Sequence, residues 1–277
     1  KQVEGIRYNA RDLAIYVASQ QKIPIVLGSA TPSLETYFNV VDSRYKRLVL
    51  EQRPQGPLPD IELIPIERAQ SRTLSPEIIK AIQQCLDTGE QVLVFLNRRG
   101  YASALFCSSC NWVAMCGRCS ARLTIHHHSS RMRCHYCGYQ SKVPAQCAEC
   151  GNQDLIDLGQ GTQRVEEGLI LQFPSASILR VDSDTTKRKG AFKEMRKAIE
   201  QSKVDIIVGT QMLAKGHDFP NLSLVVIMGT DQSLFSSDFR ATERLYQQLL
   251  QVSGRPGRGK KRGRVMLQTE FAQHPVY

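Results

Sequence analysis

Eight cysteines dominate the chemistry open to this chain. They fall in four Cys-x-x-Cys pairs, Cys107/Cys110, Cys116/Cys119, Cys134/Cys137 and Cys147/Cys150, all within one 44-residue stretch. A Cys-x-x-Cys turn aims two thiolates at one point, and four thiolates satisfy the tetrahedral preference of Zn²⁺. The set predicts two closed structural zinc sites of four cysteines each, with no ligand position left for catalysis. Three groupings of the pairs are open. The 14 residues between Cys119 and Cys134 match the usual loop of a zinc ribbon, which favours a nested order: second and third pairs on one zinc, first and fourth on the other. Joining the first and second pairs across five residues is tight. His126, His127, His128 and His135 lie inside the module as rival donors, but the complete cysteine set favours a solvated hairpin there. Dense cysteines also build disulfide scaffolds. These, however, occupy one island of a 277-residue chain with no secretory signal, which points to metal binding in a reducing cytosol. The ninth cysteine, Cys85, stands alone in an expected helix and reads as a small apolar core residue.

Charge narrows the class of partner. The net charge is +10, and Arg255 to Arg264 holds six basic residues and no acid. Such a balance favours polyanions, nucleic acid first. Within the cysteine island Arg118, Arg122, Arg131, Arg133 and Lys142 stand against one acid, Glu149, a surface suited to a phosphate backbone. Trp112, Tyr136 and Tyr139 either stack on bases or pack the module's own core. The longest aliphatic run, Leu224 to Met228, is too short to span a bilayer, so no membrane partner is expected.

Three further segments carry polar chemistry at the ends of apolar runs. Gly28-Ser29-Ala30-Thr31-Pro32 follows a predicted buried strand at 23–27, with Thr31 suited to cap a helix and Pro32 to open it. Gly209-Thr210-Gln211-Met212-Leu213-Ala214-Lys215-Gly216-His217-Asp218-Phe219-Pro220 follows another predicted strand. Gly209 and Thr210 offer donors to a phosphate, and Asp218 an acceptor to a ribose hydroxyl. Gln251-Val252-Ser253-Gly254-Arg255-Pro256-Gly257-Arg258-Gly259 follows a helix and sets two arginines on a glycine-rich turn. A guanidinium fork meets phosphate oxygens bidentately and stabilises charge as a phosphoryl group transfers. Gly254-x4-Gly259-Lys260 imitates a phosphate loop, but Lys261 replaces the Mg²⁺-binding hydroxyl and a helix precedes it where a strand is required.

The elements that must position these groups alternate. Helices are expected from Thr31 to about 41, after Ser75-Pro76-Glu77 up to Gly89, and over 163–172, 188–201 and 241–252. Strands are expected at 91–96, 177–181, 204–208, 224–228 and 264–268. Strands alternating with helices imply a parallel α/β sheet with right-handed crossovers. Pro54, Pro57, Pro59 and Pro65 mark a linker at 53–72. The chain starts at Lys1 without a methionine and stops at Tyr277 soon after an expected strand, so both ends read as cut.

Taken in order, these motifs resemble the PriA family of bacterial replication-restart helicases over essentially the whole chain. The resemblance also draws on Leu93-Val94-Phe95-Leu96-Asn97-Arg98-Arg99-Gly100-Tyr101 and Asp182-Ser183-Asp184-Thr185-Thr186. Eight cysteines between helicase motifs are its most specific part. It implies a RecA-like, P-loop NTPase helicase of superfamily 2: the end of a first lobe at 1–52, the linker at 53–72, and a second lobe at 73–277 interrupted by the zinc insertion 107–150. It further implies an ATP-dependent 3′→5′ DNA helicase that recognises stalled forks and recombination intermediates. Arg255 and Arg258 would be the finger arginines, with Gln251 in the same ATP-facing motif. Gly216 and Asp218 would lie at the nucleotide. Arg7, Tyr8, Arg11, Thr210 and Gln211 would contact DNA. The cofactors implied are ATP, Mg²⁺ and two structural zincs in nested order. Forked and single-stranded DNA, primosome proteins and single-stranded-DNA-binding protein are the implied partners, in the bacterial cytoplasm at the nucleoid.

The phosphate loop and the Asp-Glu-Glu-His motif of that family are not in the sequence, so the chain alone is expected to be inactive. Pro256 stands where the family usually has alanine, and is expected to weaken the motor by stiffening the turn. The rival readings are a non-motor zinc-dependent nucleic-acid-binding module and a double-strand translocase.

Overall fold

The computed structural model describes residues 8–50, 57–67, 73–97, 105–107, 109–110, 112–119, 123–126, 131–134, 136–157, 161–182, 185–186, 188, 190–210, 213, 219–234, 238–257 and 262–277. The chain forms two compact units, Lys1–Arg47 and Leu48–Tyr277.

The first unit holds two helices, α1 (Ala10–Gln21) and α2 (Leu34–Val41). Asn9 opens α1 by accepting the Arg11 N–H at 3.1 Å. Ser33, rather than Thr31, caps α2, because its hydroxyl reaches the Thr36 N–H at 3.3 Å. The strand expected at 23–27 does not form: Ile23, Ile25, Val26 and Leu27 are exposed. A strand needs a neighbour for its ladder, and no second strand exists among the described residues of this unit.

The second unit is built on a six-stranded, all-parallel sheet in the order β1-β11-β10-β2-β9-β8. Its members are β1 (Asp60–Pro65), β2 (Gln91–Leu96), β8 (Ile178–Val181), β9 (Ile206–Gly209), β10 (Leu222–Met228) and β11 (Arg264–Thr269). The central strands are continuous apolar runs because both sheet faces are covered. Alternate residues of β2 serve the two faces. Leu93 and Phe95 join a core roofed by α5 (Ala191–Glu200) and α7 (Ala241–Ser253), with Ile199, Leu245, Leu249 and Val252. Val92, Val94 and Leu96 join one roofed by α3 (Pro76–Asp87) and α4 (Gly161–Gln172), with Ile78, Ile82, Cys85 and Leu169. Ser75 caps α3 with Pro76 in its first turn, and Cys85 is buried as an apolar side chain. A short helix, α6 (Asp231–Leu234), follows β10.

The linker expected at 53–72 gives way to a strand at 60–65. Part of the proline-marked stretch 53–72 is β1, paired in register with β11 from Asp60↔Arg264 to Pro65↔Thr269. Proline is tolerated because β1 is an edge strand and Pro65 is its last residue, where a missing N–H costs no central ladder bond. Among the described residues no helix is long and apolar enough to cross a membrane.

Between β2 and α4 the chain leaves the sheet for five short strands: β3 (Leu105–Cys107), β4 (Thr124–His126), β5 (Arg131–Arg133), β6 (Gln140–Lys142) and β7 (Leu155–Asp157). β3 pairs with β7, and β4-β5-β6 form an antiparallel sheet. They enclose a separate small core of Leu105, Ala114, Leu123, Ile125 and Met132. Trp112 and Tyr139 pack against it, whereas Tyr136 is 87% exposed.

Candidate zinc centres and arginine turn

The fold gathers the cysteines into two sets of four. Cys107, Cys110, Cys147 and Cys150 form one, and Cys116, Cys119, Cys134 and Cys137 the other, with all sulfurs of a set within 4.8 Å of one another. This is the nested grouping. The Sγ–Sγ distances Cys107–Cys150, Cys116–Cys137 and Cys119–Cys134 are 3.5 Å, and Cys110–Cys147 is 3.4 Å. That is too long for disulfides, at about 2.05 Å. It suits sulfurs around one ion with Zn–S bonds of about 2.3 Å.

The two sets are built alike. In each Cys-x-x-Cys the first cysteine is buried and the second lies nearer solvent. The leading sulfurs accept backbone N–H groups: Arg118 to Cys116 at 3.4 Å, Cys137 to Cys134 at 3.5 Å and Glu149 to Cys147 at 3.4 Å. These bonds favour thiolate. The Cys110 N–H holds the Cys107 thiol down at about 6 against the opposing effect of burial. The Cys137 N–H does the same for Cys134, also at about 6. Gly138 and Gly151 follow the last cysteine of their pairs at φ +77° and +72°, a backbone that L side chains resist. Soft donors, tetrahedral spacing and N–H support together fit structural zinc, and both sites are closed. Among the described residues no histidine joins either set.

The described residues of the 209–220 and 251–259 motifs fall at opposite edges of the parallel sheet. Thr210 follows β9 at the carboxyl edge, beside Asn97 at the end of β2 and Thr230 beyond β10. From that edge α7 runs back, and its end meets the start of β10. The Gly257 N–H donates to the Leu222 carbonyl at 3.0 Å, while Leu222 N–H donates to Phe219 at 3.1 Å. Arg255 and Pro256 thus sit against the segment that begins one residue after Asp218. Arg255 is buried at 8% exposure and Gln251 is half-buried one turn earlier. The seven residues of β10 put about 20 Å between the two edges. Arg258, Gly216, Asp218, Gln211 and Arg7 lie outside the described residues.

In the first unit Tyr8 is 45% exposed. The Arg11 guanidinium donates to Ser33 at 2.5 Å and Thr36 at 3.0 Å and pairs with Asp12 at 2.7 Å. Arg11 therefore ties α1 to the helix that follows the Gly28–Pro32 turn. Sequence reasoning missed Asp238, which precedes α7. It accepts the Arg240 N–H at 3.0 Å and binds the Arg244 guanidinium, holding its carboxyl below the ordinary value of 3.8. The Asp three residues before an expected helix start was the available signal.

A parallel α/β lobe with a two-zinc insertion and an arginine turn at its sheet edge defines a class, the C-terminal lobe of a zinc-bearing helicase. Residues 150–260 match the helicase conserved C-terminal domain, and residues 116–142 match the PriA DNA helicase Cys-rich region. The chain belongs to the PriA family. It is 45% identical over its whole length to the replication restart protein PriA of Haemophilus influenzae, covering 38% of that protein. It is 42% identical over 99% of its length to PriA of Bacillus subtilis, covering 35% of it. The chain thus spans little more than a third of these relatives. The solved structure of S. cerevisiae Dbp5 bound to RNA and ADP BeF3 aligns over 93% of this chain and 48% of its own at 14% identity, with a TM-score of 0.45.

Proposed function

We propose that the chain is the nucleotide-completing part of an ATP-dependent DNA helicase that restarts replication at stalled forks and recombination intermediates. The observation that carries this reading is the contact of the Arg255–Gly257 turn with the Phe219–Leu222 segment. It brings two polar motifs far apart in sequence to one edge of the sheet. In this reading Arg255, Arg258 and Gln251 serve the phosphates of ATP, and Gly216 and Asp218 its ribose. ATP with Mg²⁺ supplies the phosphoryl group whose transfer drives the motor. This chain's arginines bind and neutralise charge on it, while a first lobe holds the phosphate loop and residues 1–52 belong to that lobe.

In this reading Thr210, Gln211, Arg7, Tyr8 and Arg11 contact DNA, and of these Thr210 follows β9 at the carboxyl edge of the sheet. Separate edges let one rigid lobe couple nucleotide state to grip on DNA. The zincs hold the insertion in shape and take no part in hydrolysis. Primosome proteins and single-stranded-DNA-binding protein are the partners in this reading, and the bacterial cytoplasm its place.

Strand displacement tests it. The full-length protein is given partial duplexes with a single-stranded tail of one polarity or the other, with ATP. Displacement from the 3′ tail alone is expected. ATP-driven movement without displacement on either substrate would favour the double-strand translocase.

A further inference from the structure

The zinc insertion carries a cationic face that structural zinc does not call for. On β5, Arg131 and Arg133 are exposed while Met132 and Cys134 between and after them are buried. On β6, Lys142 is exposed and stands directly across from Arg131, with Gln140 across from Arg133. Directly opposed residues share a face, so three cations line the outward side of one hairpin, two of them as immediate neighbours. Like charges in that register destabilise a sheet. Among the described residues none of the three forms an ion pair.

Neutralising the zinc sites is one use for such charge, since each tetrathiolate zinc carries a formal charge of about −2. Alternation along β5 argues against it, because Arg131 and Arg133 point away from the side on which Cys134 lies. Arg118 is better placed for that role: its N–H bonds Cys116, and its guanidinium sits 5.4 Å from the Tyr139 ring centre. A second, independent feature lies at the turn joining β5 to β6. Tyr136, between Cys134 and Cys137, is 87% exposed, unlike Trp112 and Tyr139.

We propose that the outward face of the β5–β6 hairpin binds single-stranded DNA, with Arg131, Arg133 and Lys142 on backbone phosphates and Tyr136 stacked on a base at the turn. Spacings of about 7 Å along β5 and about 5 Å across to β6 are on the scale of neighbouring phosphates. Cations that track a backbone beside an exposed aromatic are the usual composition of a single-strand site. The inference rests on the reading of the protein as one that acts on DNA, and it needs no ATP.

The test is a salt series for binding of a labelled oligothymidine by the full-length, zinc-loaded protein without nucleotide. Arg131→Gln with Lys142→Gln removes two phosphate contacts, so the log–log slope is expected to become shallower by about 1.4, at ~0.7 per contact. Tyr136→Ala is expected to weaken binding by about fivefold or more and leave the slope alone. Zinc content must stay at that of wild type. If the double variant loses zinc, Lys142→Gln alone reads a slope change of about 0.7. Unchanged slope and affinity with zinc retained would overturn the proposal and leave the face to a protein partner. A failure of ATP hydrolysis in the same protein counts against the motor and leaves this slope readable.

Discussion

The backbone N–H of Gly257 donates to the carbonyl oxygen of Leu222 at 3.0 Å, so the turn after α7 is pinned to the first residue of β10. Gly257 holds φ +71°, and a Cβ there would stand 2.4 Å from the Gly263 nitrogen. The turn that carries Arg255 is thus clamped between two backbone segments, with no room for a side chain.

Replacing Gly257 by alanine must pay for a left-handed backbone, about 1–2 kcal/mol, and for a backbone clash that no side-chain rotation relieves. A loss of at least about 2 kcal/mol in unfolding free energy is expected, together with lower ATP turnover in the full-length protein. Denaturant unfolding checks the first part. A stability equal to wild type would show that the turn is looser than the Leu222 contact implies.

Pro256 lies in the same clamp and is buried. In the account above it stiffens the arginine turn, so Pro256→Ala is expected to raise DNA-stimulated turnover. Steady-state hydrolysis decides this, and identical rates would clear the proline of any part in tuning the motor.

The nested zinc sites make a counting prediction. Cys107→Ser with Cys150→Ser strikes one set and should leave about one zinc per chain. Cys107→Ser with Cys137→Ser strikes both sets and should leave close to none. Metal analysis of the purified variants separates these cases, and equal zinc in both would refute the grouping. Chelation of wild type should unfold the insertion and spare the parallel sheet, which has its own cores.

Asp238 gives the start of α7 a pH dependence. Its carboxyl titrates below 3.8, first through the Arg240 N–H and then through Arg244. A depressed carboxyl contributes stability above its unfolded value, and that contribution is lost as pH falls through the folded one. Asp238→Ala should therefore lower stability at neutral pH, by no more than about 0.5 kcal/mol because solvent screens this exposed pair. The gap to wild type should narrow as pH drops below 3.8. A gap that stays constant into acid would mean that the ionised carboxylate is not what holds the turn.

Much of the second unit was legible because its strands are unbroken apolar runs and its helices carry local punctuation, such as Ser75-Pro76 before α3. β1 was not, since prolines and exposed Ile61 and Glu62 disguise an edge strand that only β11 stabilises. The segment 23–27 misled in the other direction. Its residues have strand character, but pairing is a property of neighbours. The three-residue strands of the insertion are too short for periodicity, and the metal ligands fix them instead. Cysteine spacing favoured the nested zinc sets because a tetrahedron constrains loop length. The Arg131–Lys142 register and the Gly257–Leu222 contact were invisible, because no sequence rule states which residues a fold will oppose.

The most direct test of the motor is ATP hydrolysis by the full-length, zinc-loaded protein with and without forked DNA, beside Arg258→Ala. Strong DNA stimulation in wild type and a loss of about 10³-fold or more in the variant are predicted, the range removed with an arginine finger. A well-folded wild type that hydrolyses no ATP on DNA, or a variant that keeps its stimulated rate, would contradict the account.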